Sequence, residues 1–179
     1  MRVITGFAKK KPLLTLDDKS LRPTISRIKE AMFSIIQLKI ENSKVLDLFS
    51  GSGQLGIEAL SRGAKNCTFV DCSLKAHQIE IQNLKSTNLH QKSKVLLTDG
   101  IKFLQNTKKK YDIIFLDPPY KTSLLKETLE IIHLKLETDG IVVCEHMKNL
   151  EIKDYFSNIS LQKQYNYGRI SLTIYKKEN

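Results

Sequence analysis

A short apolar run, Val45, Leu46, Leu48 and Phe49, leads directly into Gly51-Ser52-Gly53 and then into a helical stretch from Gln54 to Ser61. The run has the length and composition of a buried parallel strand. Strand, glycine-rich turn and helix, in that order, open a nucleotide-binding α/β unit. Glycines at 51 and 53 let the backbone turn sharply and approach a ligand that a Cβ would block. Asp47 lies inside the otherwise apolar strand. A buried carboxylate needs a partner there, either a ligand or backbone N–H groups.

The turn fits two ligand classes. Gly51-x-Gly53-x-x-Gly56 also matches a dinucleotide fold. Asp47 argues against that, because a pyrophosphate nearby would be repelled. An acid suits a ligand with a cationic end, and S-adenosylmethionine carries an ammonium and a sulfonium and no phosphate. The bland alternative is an ordinary tight turn with a solvated Asp47.

At 179 residues, the chain fits a single domain, 1–179, with a real core. No stretch approaches the ~18 consecutive apolar residues of a membrane span. Met1-Arg-Val-Ile-Thr-Gly6 lacks the apolar region of a signal peptide, so cytoplasmic residence is expected. Cys67, Cys72 and Cys144 are odd in number and contain no Cys-x-x-Cys, which argues against a disulfide framework or zinc site. All three read as small core residues. The net charge of +10 favours a polyanionic partner, and basic residues concentrate before residue 30 and at Lys108-Lys109-Lys110. A solvated lysine-rich surface is the competing explanation.

In chain order, Arg2–Thr5 and Leu13–Leu16 are expected as short strands of a β-rich arm, joined by Phe7–Lys11. Arg22-Pro23-Thr24 opens a helix, with Thr24 or Ser26 as its cap. Ile25, Ile28, Met32, Ile35 and Ile36 follow a helical period, so one face is buried. Arg22 and Arg27 sit at the start of this helix, where a ligand carboxylate would find an anion site. Asn66–Asp71 is a second strand ending in an acid, 20 residues past Gly51, a spacing suited to a ribose diol. Ser73 caps the next helix, with Ala76, Ile79 and Leu84 facing inward. Val95–Asp99 is a third strand, and Asp99 before Gly100 can accept from an adenine amine. Each acid taken alone also serves as a plain helix cap. Acids at successive strand ends point to the carboxyl edge of an α/β sheet, where ligands bind.

Tyr111–Leu116 is the fourth strand, and it runs into Asp117-Pro118-Pro119-Tyr120. Two prolines fix φ and remove two N–H donors, and they push Asp117 and Pro118 out of helical geometry. The result is a stiff corner of acceptors, with Tyr120 as a flat face. An exocyclic amine on a base needs acceptors for its hydrogens and an aromatic to stack on. A turn with a cap at Ser123 is the plainer reading. Beyond it, Leu125, Leu129, Ile132 and Leu136 form a helical stripe, Ile141–Glu145 a strand, and Leu150–Phe156 a helix. Strands at Ile159–Tyr165 and Ile170–Tyr175 close the chain around a hairpin at Asn166–Arg169. The four histidines show no metal-ligand spacing and no Ser/His/Asp set, so neither metal nor hydrolase chemistry is expected.

Asp47-x-Phe49-x-Gly51-x-Gly53 together with Asp117-Pro-Pro-Tyr120 resembles the Rossmann-like S-adenosylmethionine-dependent amino-methyltransferases. Met1-Arg-Val-Ile-Thr-Gly6, Arg22-Pro-Thr-x-x-Arg27 and Leu48–Gly63 narrow the likeness to the bacterial RsmD family. That resemblance implies a class I methyltransferase fold: α/β, a mostly parallel seven-stranded sheet with helices on both faces, the last strand antiparallel. A short N-terminal β-rich and helical extension, residues 1–40, would contribute to cofactor and RNA contacts. It implies methylation of the exocyclic N2 of a guanine in 16S ribosomal RNA, within the small ribosomal subunit or an assembly intermediate, by a monomer that avoids membranes. It also implies roles. Asp47, Phe49, Gly51 and Gly53 would hold the methionine end of S-adenosylmethionine, and Arg22, Thr24 and Arg27 would close over it. Asp71 would take the ribose, Asp99 and Gly100 the adenine, and Asp117, Pro118, Pro119 and Tyr120 the target base. An adenine-N6 DNA methyltransferase and a non-catalytic RNA-binding assembly factor are the alternatives.

Overall fold

Five stretches form parallel strands, four of them largely buried under helices and one half-exposed at the edge of the sheet. In the computed structural model these are β1 (Lys44–Leu48), β2 (Asn66–Asp71), β3 (Ser93–Leu97), β4 (Tyr111–Leu116) and β5 (Leu136–Met147). The structure describes residues 1–16, 26–120, 123–156 and 158–178. Three further strands complete the sheet: β6 (Tyr155–Phe156), β7 (Ile159–Tyr167) and β8 (Ile170–Lys177), in the order β3-β2-β1-β4-β5-β8-β7-β6. β8 is antiparallel to both β5 and β7, so β7 runs with the parallel set. Of the seven long strands, only the last is reversed, as the resemblance implies. The two-residue β6 adds an eighth at the edge. The reversal follows from the hairpin, whose two-residue turn, Gly168-Arg169, permits only an antiparallel pair.

Period-2 alternation along the strands splits the core. Val45, Phe69, Phe115, Ile141 and Val143 pack on one face, under α1 (Ser26–Ile35), α2 (Gln37–Ile40), α3 (Gln54–Ser61) and α4 (Leu74–Ser86). Leu46, Val70, Ile114, Val142 and Cys144 pack on the other, under α5 (Gly100–Asn106) and α6 (Leu124–Ile131). Every residue of α3 is buried, because the N-terminal arm covers the side turned away from the sheet. Glu58 takes the Ile4 and Thr5 N–H groups at 2.8 and 3.0 Å, and the Ser61 hydroxyl donates to the Thr5 carbonyl at 2.6 Å. Lys29, fully buried, lies 3.5 Å from the Glu58 carboxylate and donates to the Arg2 carbonyl. No helix among the described residues is long and apolar enough to cross a membrane.

Several local expectations need correcting. The arm has one isolated antiparallel bridge, Arg2 with Pro12, in place of two strands. Its backbone bonds are divided between the arm itself, as in Val3 N–H to the Lys11 carbonyl and Leu13 N–H to the Met1 carbonyl, and α3, so no continuous ladder forms. Residues 150–154 are not helical, and Tyr155–Phe156 is a strand. Phe156 stacks edge-on against Tyr175 with centroids 5.6 Å apart, so packing draws the segment into an extended form. Leu136 starts β5 because a 3-10 turn, Ile132–Lys135, ends the preceding helix. β3 stops at Leu97, and Asp99 belongs to the cap of α5. Cys67 and Cys144 are core residues, but Cys72 is exposed where the chain leaves β2. On α4 the fully inward positions are Ala76, Glu80, Asn83 and Leu84, and Ile79 is only half-buried.

Candidate active site at the carboxyl edge of the sheet

The strand order reverses between β1 and β4, since β1 is followed in space by β2 on one side and β4 on the other. In open α/β sheets, ligands bind outside the carboxyl ends at such a switch point. Register aligns the candidate residues there. Leu48 pairs with Val70 and with Leu116, so Asp71, Phe49 and Asp117 leave their strands in one row. Neighbouring strands are about 4.8 Å apart, so Asp71 and Asp117 begin about 10 Å apart, with the glycine-rich turn between them.

The turn is held from below and from one side. Phe49, Gly51 and Gly53 all have left-handed φ, at 66°, 56° and 75°. Gly53 immediately precedes α3, and this geometry feeds the chain into the helix with no side chain in the way. Asp47 Oδ2 accepts the Gly56 N–H at 2.8 Å, satisfying a first-turn donor of α3. The partner that Asp47 needs is therefore the backbone. Burial pushes its carboxyl up to about 7, against the pull of the Gly56 N–H, and Asp71 pushes the same way as burial. Asp71 accepts the Gly51 N–H at 2.9 Å and the Ser73 N–H at 2.8 Å, one on each oxygen. Each oxygen keeps a second lone pair for a further donor. Phe49 packs on Gly100, where an added Cβ would come within 2.7 Å of the ring. Asp99 caps α5 through the Lys102 N–H at 2.9 Å. This is the plain reading of that acid, and it sets Asp99 beside Gly100 at the same edge.

Asp117 and Tyr120 are half-buried, Pro118 is buried and Pro119 exposed. The Tyr120 hydroxyl donates to Glu145 Oε1 on β5 at 2.6 Å. This bond fixes the ring beside the Asp-Pro-Pro corner. Arg27 lies exposed in the first turn of α1. Arg22 and Thr24 lie outside the described residues. The basic runs differ in position. Lys108–Lys110 precede Tyr111 at the opposite end of β4, about 17 Å from the corner, while Lys9–Lys11 are exposed in the turn of the arm.

Sequence reasoning missed three side chains here. Asn83 donates to the Leu14 and Ser52 carbonyls at 3.0 and 2.9 Å and accepts the Leu14 N–H at 2.8 Å. One amide thus clamps the arm to the glycine-rich turn. Glu80, fully buried beneath Gly53, is pushed up to about 9, chiefly by burial and against a smaller pull from the Ser50 hydroxyl. Glu145 holds Tyr120. Glu80 and Asn83 lie on the helical period through Ala76, so polar residues on an inward face were the available signal. Glu145 gave none, because its partner is 25 positions away.

A family model described as Conserved hypothetical protein 95, the RsmD family, matches residues 1–176. The chain belongs to this family. Its relatives include the Bacillus subtilis protein YlbH, 40% identical over 99% of each chain. They also include Ribosomal RNA small subunit methyltransferase D of Buchnera aphidicola, 36% identical over all of this chain and 93% of the relative. The RsmD-family fold matches the solved structure of yhhF from Escherichia coli with a TM-score of 0.90, at 27% identity, covering 99% of this chain and 98% of that one.

Proposed function

We propose that this RsmD-family chain, acting as one domain over residues 1–179, transfers a methyl group from S-adenosylmethionine to the exocyclic N2 of a guanine. The guanine lies in 16S ribosomal RNA, in the small subunit or an assembly intermediate, and the protein works in the cytoplasm as a monomer. The observation that carries this is the single row of Asp71, Phe49 and Asp117, which sets an acid-ringed glycine turn beside an acceptor-rich corner. The ribosomal target comes from the name of the Buchnera relative.

The residues fit a cationic cofactor. Asp47, Asp71 and Glu80 surround the turn, and each of the first two raises the carboxyl of Glu80. Glu80 keeps its proton at neutral pH, so the charge that repels a pyrophosphate and attracts an ammonium or a sulfonium rests on Asp71 and on the ionised fraction of Asp47. Asp47, Phe49, Gly51 and Gly53 would hold the methionine end, Asp71 the ribose, and Asp99 and Gly100 the adenine, with Arg22, Thr24 and Arg27 closing over it. When bound, the cofactor supplies an electrophilic methyl group.

The guanine amine is a poor nucleophile because its lone pair is delocalised into the ring. The Asp117 carboxylate and the Pro118 carbonyl accept its hydrogens and localise that lone pair, while Pro119 keeps the corner rigid. Tyr120 stacks on the extruded base, its tilt set by Glu145. The proton leaves to Asp117 or to water. Alignment of the two reactants supplies most of the acceleration, ~7–11 kcal/mol.

The test is transfer of labelled methyl to undermethylated small subunits, naked 16S ribosomal RNA and duplex DNA, followed by nucleoside analysis. Label in N2-methylguanosine is the expected result, and Asp117→Ala is expected to abolish it while cofactor affinity stays near normal. Label in N6-methyladenine of DNA, or full turnover by Asp117→Ala, would overturn the reading.

A further inference from the structure

β5 outruns β4 at the carboxyl edge. Cys144 is level with Leu116, yet β5 continues to Met147, three positions and about 10 Å further. There Met147 pairs with Ile170, the first residue of β8, so the β7–β8 hairpin rises with it. The two are tied at their tips, where the Lys148 N–H donates to the Arg169 carbonyl at 2.8 Å. Together they form a wall on the β5 side of the Asp117–Tyr120 corner. The wall is continuous with that corner, because Glu145, which holds Tyr120, lies two residues before Met147.

The wall carries a cleft of about 410 Å³ lined by Met147, Lys148, Asn149, Gly168 and Arg169. Lys148, Asn149, Gly168 and Arg169 are exposed. Neither cation belongs to an ion pair among the described residues. Gly168 has φ +62° at the first turn position, and an added Cβ there would meet nothing within 4 Å. The backbone at the cleft mouth is therefore open to a close-lying strand.

We propose that the exposed side chains at the rim of this cleft bind the sugar–phosphate backbone of the RNA next to the nucleotide being methylated. The inference rests on the RNA methyltransferase reading. A base extruded into the Asp117–Tyr120 corner leaves its flanking phosphates at the rim, within reach of a wall that rises about 10 Å beyond the end of β4. Lys148 supplies a point charge, Arg169 a planar fork for a phosphate, and Asn149 an amide for a sugar hydroxyl or phosphate oxygen. The contacts read no sequence. They position the strand.

Lys148→Ala/Arg169→Ala leaves the backbone bond between the two residues intact, so folding and cofactor affinity should be unchanged. Binding of naked 16S ribosomal RNA should weaken several-fold, and the plot of log affinity against log salt should flatten by about 1–2. Methyl transfer at limiting RNA should fall in step with the lost affinity. A triple alanine variant of Lys108–Lys110, at the opposite edge, should change transfer at limiting RNA far less. Unchanged affinity and salt slope in the double variant, alongside an unmutated protein that methylates RNA, would overturn the proposal alone. Absence of transfer to any RNA by the unmutated protein would overturn the functional reading, and this proposal with it.

Discussion

Tyr120 donates its hydroxyl to Glu145 at 2.6 Å, and Glu145 is 1% exposed. The bond joins the corner after β4 to the body of β5. Tyr120→Phe keeps the flat ring but removes a donor from a buried carboxylate. Stability should fall by about 1–3 kcal/mol. Methyl transfer should slow as well, because a corner free to tilt aligns the amine less often. Thermal melts and single-turnover rates measured together check this. A variant as fast as the parent would mean that the bond serves stability alone.

Asn83 reaches the arm and the glycine-rich turn with one side chain. Asn83→Ala should cost about 2–3 kcal/mol, the net value of three hydrogen bonds. It should also weaken S-adenosylmethionine binding, since the Ser52 carbonyl loses its anchor and the arm loses its tether at Leu14. Calorimetric titration beside a denaturant melt separates the two effects. Normal affinity in a destabilised variant would leave Asn83 a purely structural residue.

Glu80 and Asp47 give the protein a pH dependence of definite sign. Their folded values of about 9 and about 7 lie above the ordinary 4.5 and 3.8. The folded state therefore holds protons that the unfolded state releases. The stabilising contribution is complete below about pH 4, declines through 7 as Asp47 ionises, and is lost as pH passes 9. Glu80→Gln keeps the shape and removes the larger shift. Its stability should fall less steeply than the parent's between about pH 5 and 9. Parallel curves for the two proteins would disprove the assignment.

Gly56 marks where α3 presses on β2. A Cβ there would lie 2.3 Å from the Phe69 ring and 2.6 Å from the Cys67 sulfur. Gly56→Ala should cost about 1–3 kcal/mol through overpacking and should lengthen the Asp47–Gly56 bond. Denaturant melts of this variant and of Gly56→Ala/Phe69→Leu, which makes room, provide the check. The double variant should recover part of the loss.

The strands β1, β2 and β4, the glycine-rich turn, the row of acids and the Asp-Pro-Pro-Tyr corner were legible in the sequence because each is local. Apolar runs, glycine and proline act on their own few residues, and those effects survive without knowledge of the rest of the chain. The sequence also carried the family likeness, which supplied the strand count and the reversed last strand. Tertiary structure decided what had no local signature. It turned Asp47 toward Gly56, made 150–156 extended because Phe156 packs on Tyr175, and left Cys72 outside the core. It brought Asn83 to Leu14, Glu145 to Tyr120 and Lys148 to Arg169. Those pairs are distant along the chain, and only sheet register and helix packing bring them within hydrogen-bond range.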